Sequence, residues 1–529
     1  MELWLDADVT AYGLVGETTT WALVAAGRTL LIDCGTRDPA RWLAAQGLPP
    51  AELVLHTHCQ PEHTREGDRL PGVPIRVREG EVERVSDLAA WRRRSRTTWD
   101  RPEEWPVTLG REAYGIAGAI TRFPPDDRLT LVSTFAPGDL IPFGPISLRV
   151  IALPAHDHAA VGFIVERDGR ILAACIGDLF RHPGVLVNLY DLEHAYHQTA
   201  LARMPDMLDG IAALACPLLP STGPGMPDGA RLARELSAKI RAYLTSLEWV
   251  TGTYQEPAPV AVTRLGRWEG VHPGVWQIAN FGNAALFIDG AGRGLLIDPG
   301  PCDFGNPDRE RDFIADLERF EREAGLRTIE LMLVTHPHGD HYDLAPLVRQ
   351  RYPEVRLGAM DLVASVIDAP WDHPYPALLP WYGQGRDEHV DVVLHPGQPF
   401  RWHDAVIVCE HLPGHTMAHA GYLVSWNGAS IACTGDVIQN RGESSTLFFA
   451  LCNDSPPGDA DGCLKTFATM LRHRVDLNLG GHSSRFTSCR ELYQESLTRM
   501  QHALPYLRAL VFEGACARAC RRPLWPQVA

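Results

Sequence analysis

The sequence predicts an α/β protein of layered sheets and helices, written twice in tandem. Three observations carry this expectation. Blocks of sequence recur in the same order in the two halves, the signature of an internal duplication. Apolar β-rich runs alternate with amphipathic helical stretches, a pattern that gives sheets covered by helices. And 529 residues are too many for one hydrophobic core.

The repeat can be followed element by element. GRTLLIDCG (27–35) matches GRGLLIDPG (292–300): a turn, a short apolar strand, then Asp, one residue and Gly. LVLHTHCQPEHT (53–64) matches LMLVTHPHGDHYD (331–343), and LPAHDH (153–158) matches LPGHTM (412–417). VGFIVERDGRILAACIGD (161–178) and GYLVSWNGASIACTGD (421–436) each read as a hairpin. Their turns fall at Asp168-Gly169 and Asn427-Gly428, where positive φ is needed at both central residues. CPLLPST (216–222) lines up last with LNLGGHS (477–483). Helices are expected over 228–247 and 307–325. The domains are therefore drawn at 1–250 and 263–529, with TGTYQEPAPVAV (251–262) as linker. Each half also holds a tryptophan-rich insert, TTWDRPEEWP (97–106) and APWDHPYPALLPWYG (369–383), read as pocket walls or as self-packing surface loops.

Composition narrows the function. A formal net charge of −16 opposes general nucleic-acid binding, because phosphates need a basic surface. Arg92, Arg93, Arg94 and Arg96 form the one concentrated basic patch, read as a solvated face with no assigned role. MELWLDADVT lacks the features of a signal peptide, and no apolar run suits a membrane helix. Twelve scattered cysteines fit a reducing compartment, so a cytoplasmic protein is expected. Cys516 and Cys520, one helical turn apart, make too small a set for a metal claim.

The chemistry concentrates in the second half. His336 and His338, two apart at a strand end, point the same way, and the chain then turns at Gly339 to offer Asp340 and His341. Three imidazoles and a carboxylate in one loop exceed what a single tetrahedral ion with an open position requires, so two metals are expected. His415, Asp436 and His482 follow in order, each in a loop after an apolar strand.

THPHGDH, LPGHT, CTGD and GGH in this order resemble the metallo-β-lactamase-fold hydrolase superfamily. The resemblance implies two tandem αββα sandwiches and, in the second, a dinuclear site. Carried over by position, His336, His338 and His415 would hold one ion and Asp340, His341 and His482 the other, with Asp436 bridging. Nitrogen and carboxylate ligands suit a pair of Zn²⁺ ions, with Fe or Mn left open by ligand type. Such ions can share a water and generate hydroxide near neutral pH, which Asp340 can orient. Asp298 is a candidate to fix a ligand imidazole from behind, and Tyr342 and His419 are candidates beside the site.

Aligned on the Thr before the first histidine, the first half has His58 and His63, with Gln60 and Glu62 where His and Asp belong. His156 and Asp178 match, and Ser221 or a neighbour stands where the last histidine belongs. A neutral amide and a hydroxyl are poor zinc ligands, and Glu for Asp moves an oxygen by about an ångström, beyond the roughly half an ångström that catalytic geometry tolerates. The first half is therefore expected to be non-catalytic. It would serve as scaffold, or as a residual one-metal site built from Glu62, His63 and Asp178 or from His58 and His156. For the whole chain the expectation is hydrolysis of a small ester, lactone or thioester. A phosphodiesterase of the same fold and a non-turnover binding or sensing protein are the alternatives. A small-molecule substrate is expected; nothing in the sequence specifies the oligomeric state.

Overall fold

In the computed structural model, residues 1–510 are described except 17, 36–37, 60, 65, 83–131, 156–158, 187–196, 253–259, 280–283, 301–307, 370–387, 439–461, 483–484 and 488. The four arginines of 92–96, both tryptophan-rich inserts, most of the 251–262 linker, His156, Cys516 and Cys520 lie outside the described residues, as does the side chain of Glu62. The described chain divides into two compact units, residues 1–245 with 506–510, and 246–505.

In the second unit an eight-stranded sheet opens with an antiparallel meander from Thr263–Leu265 to Arg293–Ile297. It continues in parallel through Thr328–Val334, Arg356–Met360 and Val392–Leu394. A six-stranded sheet runs antiparallel from Pro399–Trp402 through Ala405–His411 and Ala420–Trp426 to Ala429–Gly435; Leu477–Gly480 then adds in parallel. Strand side chains alternate between faces, and the inward sets share one core: Ile297 and Leu333 from the first sheet pack with Ile407, Tyr422 and Ile431 from the second. The helix Arg309–Glu323 turns Phe313, Leu317 and Phe320 onto this core. Its other residues are largely charged, as an amphipathic covering helix requires. Behind the second sheet, the helix Cys489–Arg508 sets the Tyr493 hydroxyl 2.7 Å from the Asn478 amide.

The first unit follows the same plan. Its seven-stranded sheet is antiparallel through Arg28–Ile32 and parallel from Ala51–Leu55 onward. Its five-stranded sheet pairs Leu140–Phe143, Ile146–Ala152, Val161–Arg167 and Arg170–Gly177 antiparallel, and Leu218–Pro220 in parallel. Leu23 and Leu30 meet Val150, Phe163 and Ala173 between the sheets, and the helix Pro39–Ala45 covers the outer face through Leu43. The chain thus has the α/β layered fold, with sheets packed face to face and helices outside. Both hairpins form: Asp168, Gly169, Asn427 and Gly428 all have φ between 47° and 82°, the geometry that matches strand twist in a two-residue turn.

Candidate metal centre

Local sequence explains how the ligands gather. Strand Thr328–Val334 is buried and ends on Thr335, after which the single turn Gly339–Tyr342 reverses the chain. His336, His338, Asp340 and His341 all emerge from this reversal, and all are buried. His415 stands in the loop before Ala420–Trp426, Asp436 follows Ala429–Gly435, and His482 follows Leu477–Gly480. The last three loops lie at the ends of neighbouring strands of one sheet, about 5 Å apart, and the first at the end of a strand in the sheet packed against it, about 10 Å away.

Two sets result. His338 Nδ1 lies 3.0 Å from His336 Nε2 and 3.1 Å from His415 Nε2. These separations approach the roughly 3.3 Å between ligand atoms on a tetrahedral ion with 2.0–2.1 Å bonds. In the second set His341 Nε2 is 3.4 Å from Asp436 Oδ1 and 3.6 Å from Asp340 Oδ2, and His482 Nε2 is 3.0 Å from Asp436 Oδ2. That same Oδ2 is 3.5 Å from His415 Nε2, so Asp436 faces both sets. In each set the donor atoms lie within 4.8 Å of one another. The donors fit metal ions: His341 Nε2 is a buried polar atom with no hydrogen-bond partner, although the Asp340 and Asp436 carboxylates face it.

The shell behind the ligands is equally ordered. Asp298 has φ 53°, a left-handed conformation that Asp tolerates better than most residues. Its carboxylate there accepts from Thr335 N and Thr335 Oγ1, 2.8 Å each, and faces His341 Nδ1 at 2.9 Å. Thr335 Oγ1 is also 3.1 Å from His336 Nδ1. Two ligand rings are thus turned with Nε2 inward. The Thr335 contribution was not read from the sequence, although a Thr precedes the first histidine in both halves. Outer partners of this kind typically govern about 10–100-fold in metal affinity or activity. Asp298→Asn is expected to cost that much, measured as zinc affinity against a chelating competitor.

His419 is fully buried and stacks on His336 at 4.7 Å, with neither ring nitrogen hydrogen-bonded. It supports a ligand ring and faces the Gly435 backbone, where an added Cβ would stand 2.8 Å from it. Tyr342 belongs to the hydrophobic core, and burial pushes its phenol up. Its place directly after His341 suggests a position beside the site. The turn points it inward instead.

Burial, reinforced by the neighbouring imidazoles, keeps His336 and His338 well below the usual histidine range, so both are neutral at neutral pH. Burial also opposes a proton on His341, but Asp436, Asp340 and Asp298 outweigh it and hold that ring well above the usual range. In the metal-free fold this proton contributes stability that is full below about pH 6.5 and fades as pH rises through the raised value. Loading the second set must displace it. The expected outcome is release of the His341 proton with that ion and an affinity that rises with pH below the raised pKa; His336 and His338, already neutral, release none. Calorimetry in two buffers of different ionisation enthalpy reads the proton directly.

The first unit has the same outer scaffold around fewer ligands. Asp33, φ 56°, accepts from Thr57 N and Thr57 Oγ1 at 2.9 Å each. Thr57 Oγ1 lies 3.1 Å from His58 Nδ1. His58, His63 and Asp178 come together, drawn from both of the ligand sets in the tandem reading. The last repeat block is shifted by one residue from the expected pairing. Ser221 N donates to Gly177 O as Gly481 N donates to Gly435 O, so Thr222, not Ser221, stands at the His482 position. Thr222 Oγ1 donates to Asp178 Oδ1 at 2.8 Å, while Ser221 Oγ donates to Asp33 Oδ2 at 2.5 Å.

No curated protein matches the chain. Among solved structures, the chain is similar to the FEZ-1 metallo-beta-lactamase from Legionella gormanii, at 17% identity over 47% of this chain and 98% of that one, TM-score 0.34. It is also similar to a metallo-beta-lactamase family protein from Thermus thermophilus, at 19% identity over 49% and 86%, TM-score 0.33. The family model described as the metallo-beta-lactamase superfamily matches residues 279–500, the segment that holds all seven ligand candidates. Residues 279–500 thus carry a segment of the metallo-beta-lactamase superfamily.

Proposed function

We propose that the chain hydrolyses a small uncharged ester, lactone or thioester at the centre built on His336, His338, Asp340, His341, His415, Asp436 and His482, loaded with two zinc ions. The observation that supports it most is Asp436, within 3.5 Å of both His415 and His341, so that one carboxylate links the two sets. When bound, such a pair of ions supplies a Lewis acid and lowers the pKa of a coordinated water towards about 7. The chain's own residues do the rest. Asp340 accepts the proton of the attacking water and orients it towards the acyl carbon, and that proton then passes to the departing oxygen or sulfur as the tetrahedral adduct breaks down to the acid and the alcohol or thiol, a hydroxyl that stays tethered when a lactone opens. Asp298 and Thr335 fix His341 and His336, so no ligand has to reorganise during turnover.

The substrate class rests on the insert 369–383, whose sequence is aromatic and apolar with few charges. A net charge of −16 supports a small molecule over a nucleic acid. The eight described cysteines are buried thiols, which supports a reducing, cytoplasmic setting. Residues 1–250 are read as non-hydrolytic, supported by the altered Gln60 and Glu62 and by Thr222 at the last ligand position.

The test is a metal-quantified screen of lactones, thioesters and phosphodiesters with wild type and Asp340→Asn. Turnover of an acyl substrate, reduced about 10²–10⁴-fold in the variant as for loss of a proton acceptor, is the expected result. Preference for phosphodiesters would redirect the substrate class, and no turnover of any substrate would favour a binding or sensing role.

A further inference from the structure

We infer that the first unit holds a single divalent cation of its own, bound by His58, His63 and Asp178. The three donors come within 4.8 Å of one another, with His58 Nε2 4.0 Å and His63 Nε2 3.1 Å from Asp178 Oδ2. Their residues are 2%, 1% and 7% exposed. A buried histidine–aspartate contact alone could be an internal ion pair. The orientation of the groups argues for more.

Each ligand is turned by a partner behind it. Thr57 Oγ1 faces His58 Nδ1, leaving Nε2 as the inward atom. Asp33 Oδ2 stands 3.5 Å from His63 Nδ1, so Nε2 is again inward. Thr222 occupies Asp178 Oδ1, which directs Oδ2 at both imidazoles. Carboxylates and hydroxyls placed behind imidazoles in this way fix the tautomer that a metal needs. The arrangement repeats Asp298, Thr335, His336 and His341 of the second unit residue for residue. An ion pair needs only the His63 and Asp178 contact and gives no reason for His58, whose ring lies 4.0 Å from that of His63.

Two nitrogens and one carboxylate oxygen form a set that zinc accepts, with a fourth position for water or an anionic group. This joins His58 to His63 and Asp178, a combination neither sequence-based alternative contained. Thr222 in place of a histidine explains why the set stops at one ion: a neutral hydroxyl is a poor ligand, and here it orients Asp178 instead.

The experiment counts zinc in the full chain after metal stripping and reloading, with circular dichroism as a check on folding. Wild type is expected to hold three ions and Asp178→Asn two. A chain carrying His336→Ala, His338→Ala and His341→Ala should hold one, lost when Asp178→Asn is added. Cobalt substituted in that triple variant should give the absorption of a nitrogen and oxygen site. Thr222→His, which supplies the missing imidazole, should tighten the first-unit ion about tenfold, a gain that misfolding cannot produce. The inference is overturned if the count is the same in wild type and Asp178→Asn, or if a folded triple variant binds no zinc. These outcomes do not depend on whether the second unit turns over any substrate.

Discussion

Asp436→Ala is expected to abolish turnover, with kcat/KM falling at least about 10³-fold and zinc content dropping by at least one ion per chain. The carboxylate reaches both ligand sets, through Oδ1 to His341 and Oδ2 to His415 and His482. Its removal leaves His341 ringed by fewer charges and separates the sets. Burial alone would raise the Asp436 carboxyl, yet the His482 and His341 imidazoles hold it well below the usual carboxylate range, so it is ionised throughout the neutral region. Asp436→Asn, which keeps shape and removes charge, should resemble the alanine variant in metal loss, because a neutral amide is a poor ligand. Steady-state kinetics and elemental analysis on the same preparations check both.

Gly481→Ala is the second large effect, and it comes from a residue that touches no ligand ion. A Cβ at 481 would overlap Asp436 Oδ1. The bridging carboxylate must then rotate away, and activity should fall at least about 10²-fold, since misplacement by about an ångström costs that much. Gly290→Ala, where nothing lies within 4 Å of the added Cβ, is the control and should behave as wild type. The first unit has already made the change: Ser221 stands at the Gly481 position, and its hydroxyl is drawn to Asp33. A native-like melting temperature in Gly481→Ala with lost metal would separate this local effect from a folding defect.

The two hairpins and the order of the ligand loops were legible in the sequence because each rests on a short local signal. Asp-Gly and Asn-Gly demand one kind of turn, and four ligands in six residues after an apolar strand leave few geometries. What was not legible depended on register. The last block paired Ser221 with His482 because nothing in CPLLPST marks where the strand irregularity falls. In the structure, both irregularities lie before the Gly that ends the neighbouring strand, between Cys175 and Gly177 and between Cys433 and Gly435, and this sets Thr222 opposite Asp178. A shift of one residue in a strand exchanges the side chains that face a site. The threonine clamps were missed, and Tyr342 was expected beside the site rather than in the core, for a related reason: which way a side chain leaves a tight turn depends on backbone conformation that spacing does not record.

The most direct measurement is the difference in zinc content between the wild-type chain and a folded chain carrying His336→Ala, His338→Ala and His341→Ala. The expected result is two ions fewer per chain, whatever the first unit holds. Equal zinc content in the two proteins would contradict a paired-cation centre in residues 279–500.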